Sequence, residues 1–265
     1  MIYIKDKNKV EEIQNNINKY NITVFMDFDR TMTTPESDDS WDASAKKNGL
    51  STKLEEFYDK YRPIELDYTL SKKEKEKYML EWYQGCMDLY YEFKITKEDL
   101  EKSIKNSKII LRNGLAELLC NLHKNKVPVI ILSAGIGNVI EQTLKEENCY
   151  YNNITIISNF FKFNDQGQIL KYNDYLIHTL NKNIDKVADV KIKSIINERK
   201  YKVVVGDLIE DINMIGRYQE NRVLKIGFLN SNIEKNKEIY KEKFDIVLSR
   251  KNDFVDIQEY LKEIL

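Results

Sequence analysis

Five short stretches of the chain are apolar almost without interruption: Ile22–Met26 (ITVFM), 127–135 (VPVIILSAG), 153–159 (NITIISN), 201–207 (YKVVVGD) and 222–229 (RVLKIGFL). Each is rich in Val and Ile and too short for an average helix, which is the signature of a strand buried on both faces. Between them lie helix-period segments, NGLAELLCNLHKN (113–125) before the second strand and GNVIEQTLKEEN (137–148) after it. Strands alternating with helices predict an α/β fold with a Rossmann-like parallel sheet. In such sheets ligands gather at the carboxyl ends of the strands. Asp27, Asp29, Ser133, Asn159 and Asp207 all sit at those ends.

One segment breaks the alternation. From about residue 35 to 109 the pattern is helical, with no convincing strand. Leu54, Phe57, Tyr58 and Tyr61 fall at i, i+3, i+4 and i+7, one face of an amphipathic helix. Ser71 and Glu74 form a capping box ahead of a stripe of Tyr78, Trp82, Cys86, Leu89 and Phe93, and Thr96 with Asp99 caps a third helix. The expected division is therefore an α/β core of 1–34 and 110–265, interrupted after its first strand by a helical cap of 35–109. FKFNDQGQILKY (161–172) reads as a hairpin turning at Asp165 to Gly167.

Composition narrows the class. With 42 Lys and Arg against 43 Asp and Glu, the net charge of −1 leaves no basic footprint for a nucleic-acid polymer. The 3 cysteines, Cys86, Cys120 and Cys149, are odd in number and widely spaced, neither a disulfide framework nor a zinc site. The opening MIYIKDKNKVEEIQ has no apolar signal-peptide core, and no apolar run approaches the ~18 residues of a membrane span. A cytoplasmic protein without membrane partners is expected; oligomeric state cannot be read.

The chemistry is concentrated where the first strand ends, in DFDRT (27–31). Residues i and i+2 of an extended chain point the same way, so Asp27 and Asp29 can share a cleft. Two carboxylates that close require a cation, a shared proton or a reaction. Asp207 and Asp211 in GDLIED (206–211) would join them if the strand ends meet. A hard divalent cation such as Mg²⁺ suits that donor set. No G-x-x-x-x-G-K loop is present, so phosphate would be held by the Ser133 hydroxyl, the Lys182 ammonium and backbone amides near Gly137. Asp27 could then attack phosphorus, giving an aspartyl-phosphate, while Asp29 protonates the leaving oxygen and afterwards activates water. A lone D-x-D-x-T also caps turns and binds calcium. Its combination with Ser133, Lys182 and GDLIED is far more specific. His178, His123, Trp82 and Tyr83 read more simply as structural.

These four motifs resemble those of the haloacid dehalogenase superfamily. YRPIELD, EWY, ILSAGIGNVIEQ, ISNFFKFNDQGQI, LIHTLNKN, VLKIGFLN and FDIVL are more narrowly similar to the cytosolic pyrimidine 5'-nucleotidases (5'-nucleotidase III type), over nearly the whole chain. The resemblance implies a Mg²⁺-dependent hydrolase of nucleoside 5'-monophosphates, pyrimidine preferred, with possible phosphotransfer to a nucleoside. It implies Asp27 as nucleophile and metal ligand, Asp29 as acid/base with its carbonyl on the metal, and Asp207 completing the metal site. Ser133 and Ala134 would meet the phosphate, Lys182 would neutralise it, and Thr31 and Asp211 would support the site. Glu65 matches a cap carboxylate that contacts the base, and Cys86 stands beside the base. Leu208, Glu210 and Arg30 depart from the family's usual residues, and Asp38, Asp39 and Asp42 form an acidic run of this chain's own. Two alternatives follow: a phosphatase acting on another small phosphomonoester, or a catalytically silent nucleotide binder.

Overall fold

Ile22–Met26 forms the predicted strand, and all five of its residues are buried. The computed structural model describes residues 3–46, 49–65, 67, 69–187 and 189–262; Leu66 of YRPIELD and both chain ends of the expected core lie outside them. In chain order the elements are β1 (Tyr3–Ile4), α1 (Lys7–Asn16), β2 (Ile22–Met26), α2 (Ser40–Ser44), α3 (Leu50–Glu65), α4 (Lys72–Glu92), α5 (Lys97–Lys105), α6 (Leu115–Lys124), β3 (Val129–Ile136), α7 (Gly137–Glu146) and β4 (Ile154–Asn159). They continue as β5 (Phe161–Phe163), β6 (Ile169–Tyr172), α8 (Ile184–Val187), α9 (Val190–Asn197), β7 (Tyr201–Gly206), β8 (Val223–Leu229), α10 (Ile233–Lys243), β9 (Ile246–Ser249) and α11 (Phe254–Leu261). A 3₁₀ segment, Ile209–Ile215, follows β7.

The strands form a seven-stranded sheet in the order β1-β9-β8-β7-β2-β3-β4. It is parallel from β9 to β4, but β1 joins β9 antiparallel, so the expected all-parallel sheet acquires one antiparallel edge. Neither β1 nor β9 stands out as an apolar run in the sequence. Strand β2 lies between β3 and β7, where the order of strands reverses, so its carboxyl end opens at the crevice where ligands bind.

Alternation along the strands builds a core on each face. Val24 and Met26, with Val129, Ile131, Val203 and Val205, pack against Val10 and Ile13 of α1, Leu115 to Leu122 of α6, and Phe254 and Ile257 of α11. Phe25, Ile130, Leu132 and Val204 face the other way, toward Ile184, Ile196, Met214 and Ile215. Each such fully buried side chain contributes roughly 1.5–3 kcal/mol. A third cluster belongs to the helices after β2. Leu50, Tyr83, Met87, Tyr90, Leu100 and Ile104 pack together and onto Ile136, Val139, Phe161 and Leu176 at the sheet's carboxyl end. Both expected capping boxes are present, Ser71 with Glu74 and Thr96 with Asp99, as is the hairpin β5-β6. No helix among the described residues is long and apolar enough to cross a membrane.

Where the chain returns from these helices it is fastened by a residue the sequence pattern did not single out. Arg112 is buried, and its guanidinium donates to the carbonyls of Thr31 (3.0 Å), Arg30 (3.1 Å) and Asn252 (2.9 Å) and to Asn230 Oδ1 (2.8 Å). Its plane lies 3.9 Å over the Phe228 ring. Every acceptor is neutral, so the fork serves as a rigid set of donors that ties the loop after β2 to the loops beyond β8 and β9. Arg112→Met strands several buried carbonyls. We expect it to lower the unfolding free energy by about 2–4 kcal/mol, measured by urea denaturation. An unchanged midpoint would show that these carbonyls find other donors.

Candidate functional site

The sheet itself delivers the first carboxylate. Asp27 continues the β2 ladder, its N–H donating to Val205 O at 3.0 Å. The chain then turns sharply, with Phe28 O accepting from the N–H groups of Thr31, Met32 and Thr33. Arg30 takes φ +63°, held there by donors to its carbonyl from Arg112 and Asn230 and by its own N–H donating to Thr33 Oγ1. At the end of β7, Gly206 lets the next carboxylate approach, since a Cβ there would lie 2.4 Å from that of Asp211.

Asp27, Asp207 and Asp211 converge, with ligand oxygens within 4.8 Å of one another. Lys182 stands among them, its ammonium 2.5 Å from Asp27 Oδ1 and 2.7 Å from Asp211 Oδ1. Burial alone would lower the lysine's pKa, but Asp211 and Asp27 outweigh it and hold the group above its ordinary value. Burial pushes Asp27 up to about 6 against the pull of Lys182. Asp207 is driven well above the carboxylate range by burial and by the charges of Asp27 and Asp211. Ionised together, three carboxylates against one ammonium would leave two negative charges, the deficit a divalent cation removes. The three are not equivalent. Asp211 Oδ1 is taken by Lys182, and Oδ2 accepts from the N–H groups of Asp207 (3.1 Å) and Leu208 (2.9 Å). Among the described groups nothing donates to the Asp207 carboxylate. The donor set therefore fits a divalent cation held chiefly by Asp27 and Asp207, with Asp211 bracing the turn behind it. The buried Thr31 hydroxyl lies beside Asp27 and favours its ionised form, weakly opposing the effect of burial.

Asp29 lines the same cavity but its carboxylate turns away from the cluster, toward Ser40. Burial, then Asp39 and Asp27, raise it to about 8, while the Ser40 hydrogen bonds pull against that rise. Ser133 is buried within β3, where the pairing with β4 turns irregular after Leu132, its Oγ accepting from Gly135 N–H at 3.0 Å and keeping its own proton to donate. The neighbouring Ala134 carbonyl accepts from Asn159 Nδ2 (2.9 Å). Asn159 also donates to Ile177 O and accepts from Ile177 N–H, both at 2.8 Å, so one buried amide joins the Ser133–Ala134 bend to the loop carrying Lys182.

One cavity of about 500 Å³ joins this cluster to the helices above, a volume suited to a small molecule. Glu65 and Cys86 line it, as expected, and so do Trp41, Tyr58, Trp82 and Tyr83. Trp82 and Tyr83 pack in the helix cluster, as the sequence reading expected, and line the cavity as well. Trp41 meets Tyr83 edge-on at 5.6 Å, and Tyr83 meets Trp82 at 5.7 Å. Glu65 is held by Arg62 and by Thr179 Oγ1 (2.6 Å), two lining residues that single-sequence reasoning missed. An arginine three residues before a buried glutamate on one helix was the available signal for the first; nothing local signals the second. Burial pushes the Cys86 thiol up to about 12, so it contributes shape and no nucleophile. His178, lowered by burial to about 4, is neutral, and its Nδ1 accepts from Leu180 N–H. The acidic run is largely structural: Asp39 caps α2, and Asp38 pairs with Lys46. Leu208 lines the cavity, while Glu210, its carboxyl raised by burial, lies outside the carboxylate cluster.

This arrangement has counterparts. The 7-methylguanosine phosphate-specific 5'-nucleotidase of Gallus gallus is 34% identical over 80% of this chain and 74% of its own length. That of Homo sapiens is 32% identical over 77% of this chain and 69% of its own. Among solved structures, cytosolic 5'-nucleotidase IIIB (cN-IIIB) bound to cytidine superposes with a TM-score of 0.87 at 26% identity, covering 99% of this chain and 93% of that one. Phosphoserine phosphatase in a phospho-aspartyl intermediate analogue shares the fold, with a TM-score of 0.58 at 21% identity. The sequence profile of the pyrimidine 5'-nucleotidases (UMPH-1) matches residues 20–265, and with the cluster and its helical cover both in place, the chain belongs to that family.

Proposed function

We propose that the chain is a Mg²⁺-dependent 5'-nucleotidase that hydrolyses nucleoside 5'-monophosphates, with pyrimidines preferred, through a phosphorylated Asp27. The observation that carries this reading is a single cavity with carboxylates and a lysine at one end and an aromatic wall with a carboxylate at the other. The first end suits a phosphoryl group and the second a planar base.

Asp27, held by the β2–β7 ladder, is the nucleophile. Lys182 offsets the repulsion between that carboxylate and an anionic phosphate. The hydroxyls of Ser133 and Thr31 are placed to donate to phosphoryl oxygens. Asp29 gives its proton to the departing 5'-oxygen and then takes one from the attacking water. Mg²⁺ would be held by Asp27, Asp207 and the Asp29 carbonyl, where it supplies charge neutralisation. A nucleoside hydroxyl in place of water would make the same site a phosphotransferase. Residues 1–34 and 110–265 would supply the chemistry, and the cap, 35–109, the choice of base. Cytoplasmic placement rests on similarity to cytosolic 5'-nucleotidase IIIB.

Glu65 can accept from an exocyclic amine such as that of cytosine, and the solved relative holds cytidine. A second base is favoured by the same wall. A 7-methylated guanine is cationic, and Trp41, Trp82 and Tyr83 beside Glu65 suit a cation over aromatic faces; several relatives carry that specificity in their names.

Phosphate release from CMP, UMP, AMP, GMP and 7-methyl-GMP, with Mg²⁺ or EDTA, tests the reading. We expect Mg²⁺-dependent turnover favouring one base class and none in Asp27→Asn. Uniformly absent turnover would move the assignment to another phosphomonoester or to a silent binder. Glu65→Ala should cut discrimination among bases by about tenfold or more while largely sparing p-nitrophenyl phosphate; unchanged discrimination would remove Glu65 from base recognition. Mg²⁺ should also raise the melting temperature, adding about 2.7 kcal/mol at 100 times its dissociation constant. Asp207→Asn should lose that stabilisation, and a shift that survives the substitution would place the ion elsewhere.

A further inference from the structure

Both oxygens of the Asp29 carboxylate are occupied by one residue. Ser40 N–H donates to Oδ1 at 2.8 Å and Ser40 Oγ to Oδ2 at 2.6 Å. Ser40 is fully buried, so its two donors are shielded from solvent, while the part-buried Asp29 carboxylate still faces the cavity. Its hydroxyl is fixed in turn by Ile136 N–H, which donates to Oγ at 3.2 Å. The backbone makes room for this contact at Gly135, where a Cβ would lie 1.9 Å from Ser40 Oγ and 2.7 Å from Asp29 Oδ2. Asp39 holds the same turn from below, its Oδ1 accepting from the N–H groups of Trp41 and Asp42.

We propose that Ser40 is the positioning residue for the acid–base carboxylate, fixing the orientation in which Asp29 exchanges the transferred proton. The proposal rests on the nucleotidase reading above. Each carboxylate oxygen keeps a second acceptor direction beside its Ser40 donor, so the group can be held in place and still carry a proton. In the first step the proton leaves Asp29 for the nucleoside 5'-oxygen as the P–O bond breaks and the Asp27–phosphorus bond forms. In the second, the Asp29 carboxylate takes a proton from water as the water oxygen bonds phosphorus and the Asp27–phosphorus bond breaks. A carboxylate free to rotate would spend part of its time in orientations that cannot transfer the proton. Trp41, the next residue, lines the cavity, so the positioning residue of the acid and one wall of the cavity belong to one short helix.

A leaving-group comparison tests this. Nucleoside departure needs an acid, whereas p-nitrophenolate leaves unaided. In single-turnover rapid quench with Mg²⁺, Ser40→Ala should slow nucleoside release from a nucleoside monophosphate roughly 10- to 100-fold. The burst of p-nitrophenolate from p-nitrophenyl phosphate should stay within about threefold of the parent on the same reasoning. The retained burst also shows that the variant folds and that Asp27 still attacks. Ser40→Thr, which keeps the hydroxyl, should recover most of the nucleoside rate. Equal slowing of both substrates would make Ser40 merely structural, and no slowing of either would leave Asp29 independent of it; each overturns the proposal. Failure of the parent protein to give an Asp27-dependent burst would overturn the nucleotidase reading itself.

Discussion

The Lys182 ammonium, buried between Asp27 and Asp211, is the contact around which the site is organised. It joins three separate parts of the chain: the end of β2, the turn after β7 and the loop after β6. Removing these charges from water costs about as much as their attraction returns, so the group is a poor device for stability. Its value lies in what it leaves behind. One ammonium satisfies one oxygen each of Asp27 and Asp211, while Asp207 keeps a carboxylate with no protein donor among the described groups. The site is preorganised to receive positive charge from a cation and negative charge from a phosphate at one place.

The rest of the fold brings a second surface over that point. Several polar contacts cross from the helices after β2 to the core, and two of them touch the cavity. Ser40 holds Asp29, Glu65 accepts from Thr179, and Tyr172 donates to Asp88 at 2.8 Å. Thr179 is three residues from Lys182, on the loop that Asn159 and Asn181 pin by their side-chain amides. Glu65 and Lys182, which line one cavity, are therefore referenced to the same short loop. On the proposed reading, a base that competes with Thr179 for Glu65 would act on the segment that positions Lys182.

What could be read from the sequence follows from the range of the interactions involved. The five long apolar strands and the cap helices announce themselves because burial on both faces, or on one stripe, leaves a local pattern. Two-residue β1 is too short for any pattern, and four-residue β9 follows a charged helix that obscures it. Asp27, Asp29, Ser133, Lys182 and Asp207 were legible as polar groups at strand ends or through the motifs they belong to. Ser40, Arg112 and Thr179 were not, because each works through a contact distant in sequence, 11, 81 and 114 residues away respectively. Trp82 and Tyr83 were legible as helix packing but not as cavity lining, for a different reason. An aromatic stripe on a helix looks the same whether it faces another helix or the empty recess between them.

The altered fourth motif, GDLIED, shows how the reaction and the specificity are separated. The contacts that place Asp211 come from the backbone N–H groups of Asp207 and Leu208 and from Lys182, none of which depends on the side chain at 208. Gly206 and Asp211, the two positions that must fit each other within a methyl group, are both present. The leucine at 208 therefore leaves the carboxylate geometry intact and shapes the cavity wall instead. Glu210 lies outside the cluster, and burial raises its carboxyl pKa. Arg30 follows the same rule: its backbone is locked by Arg112 and Asn230, while its half-exposed side chain reaches the cavity mouth near Asp39. Leu208 and Arg30 thus line the cavity, Glu210 stands outside the carboxylate cluster, and the three carboxylates remain assembled around Lys182.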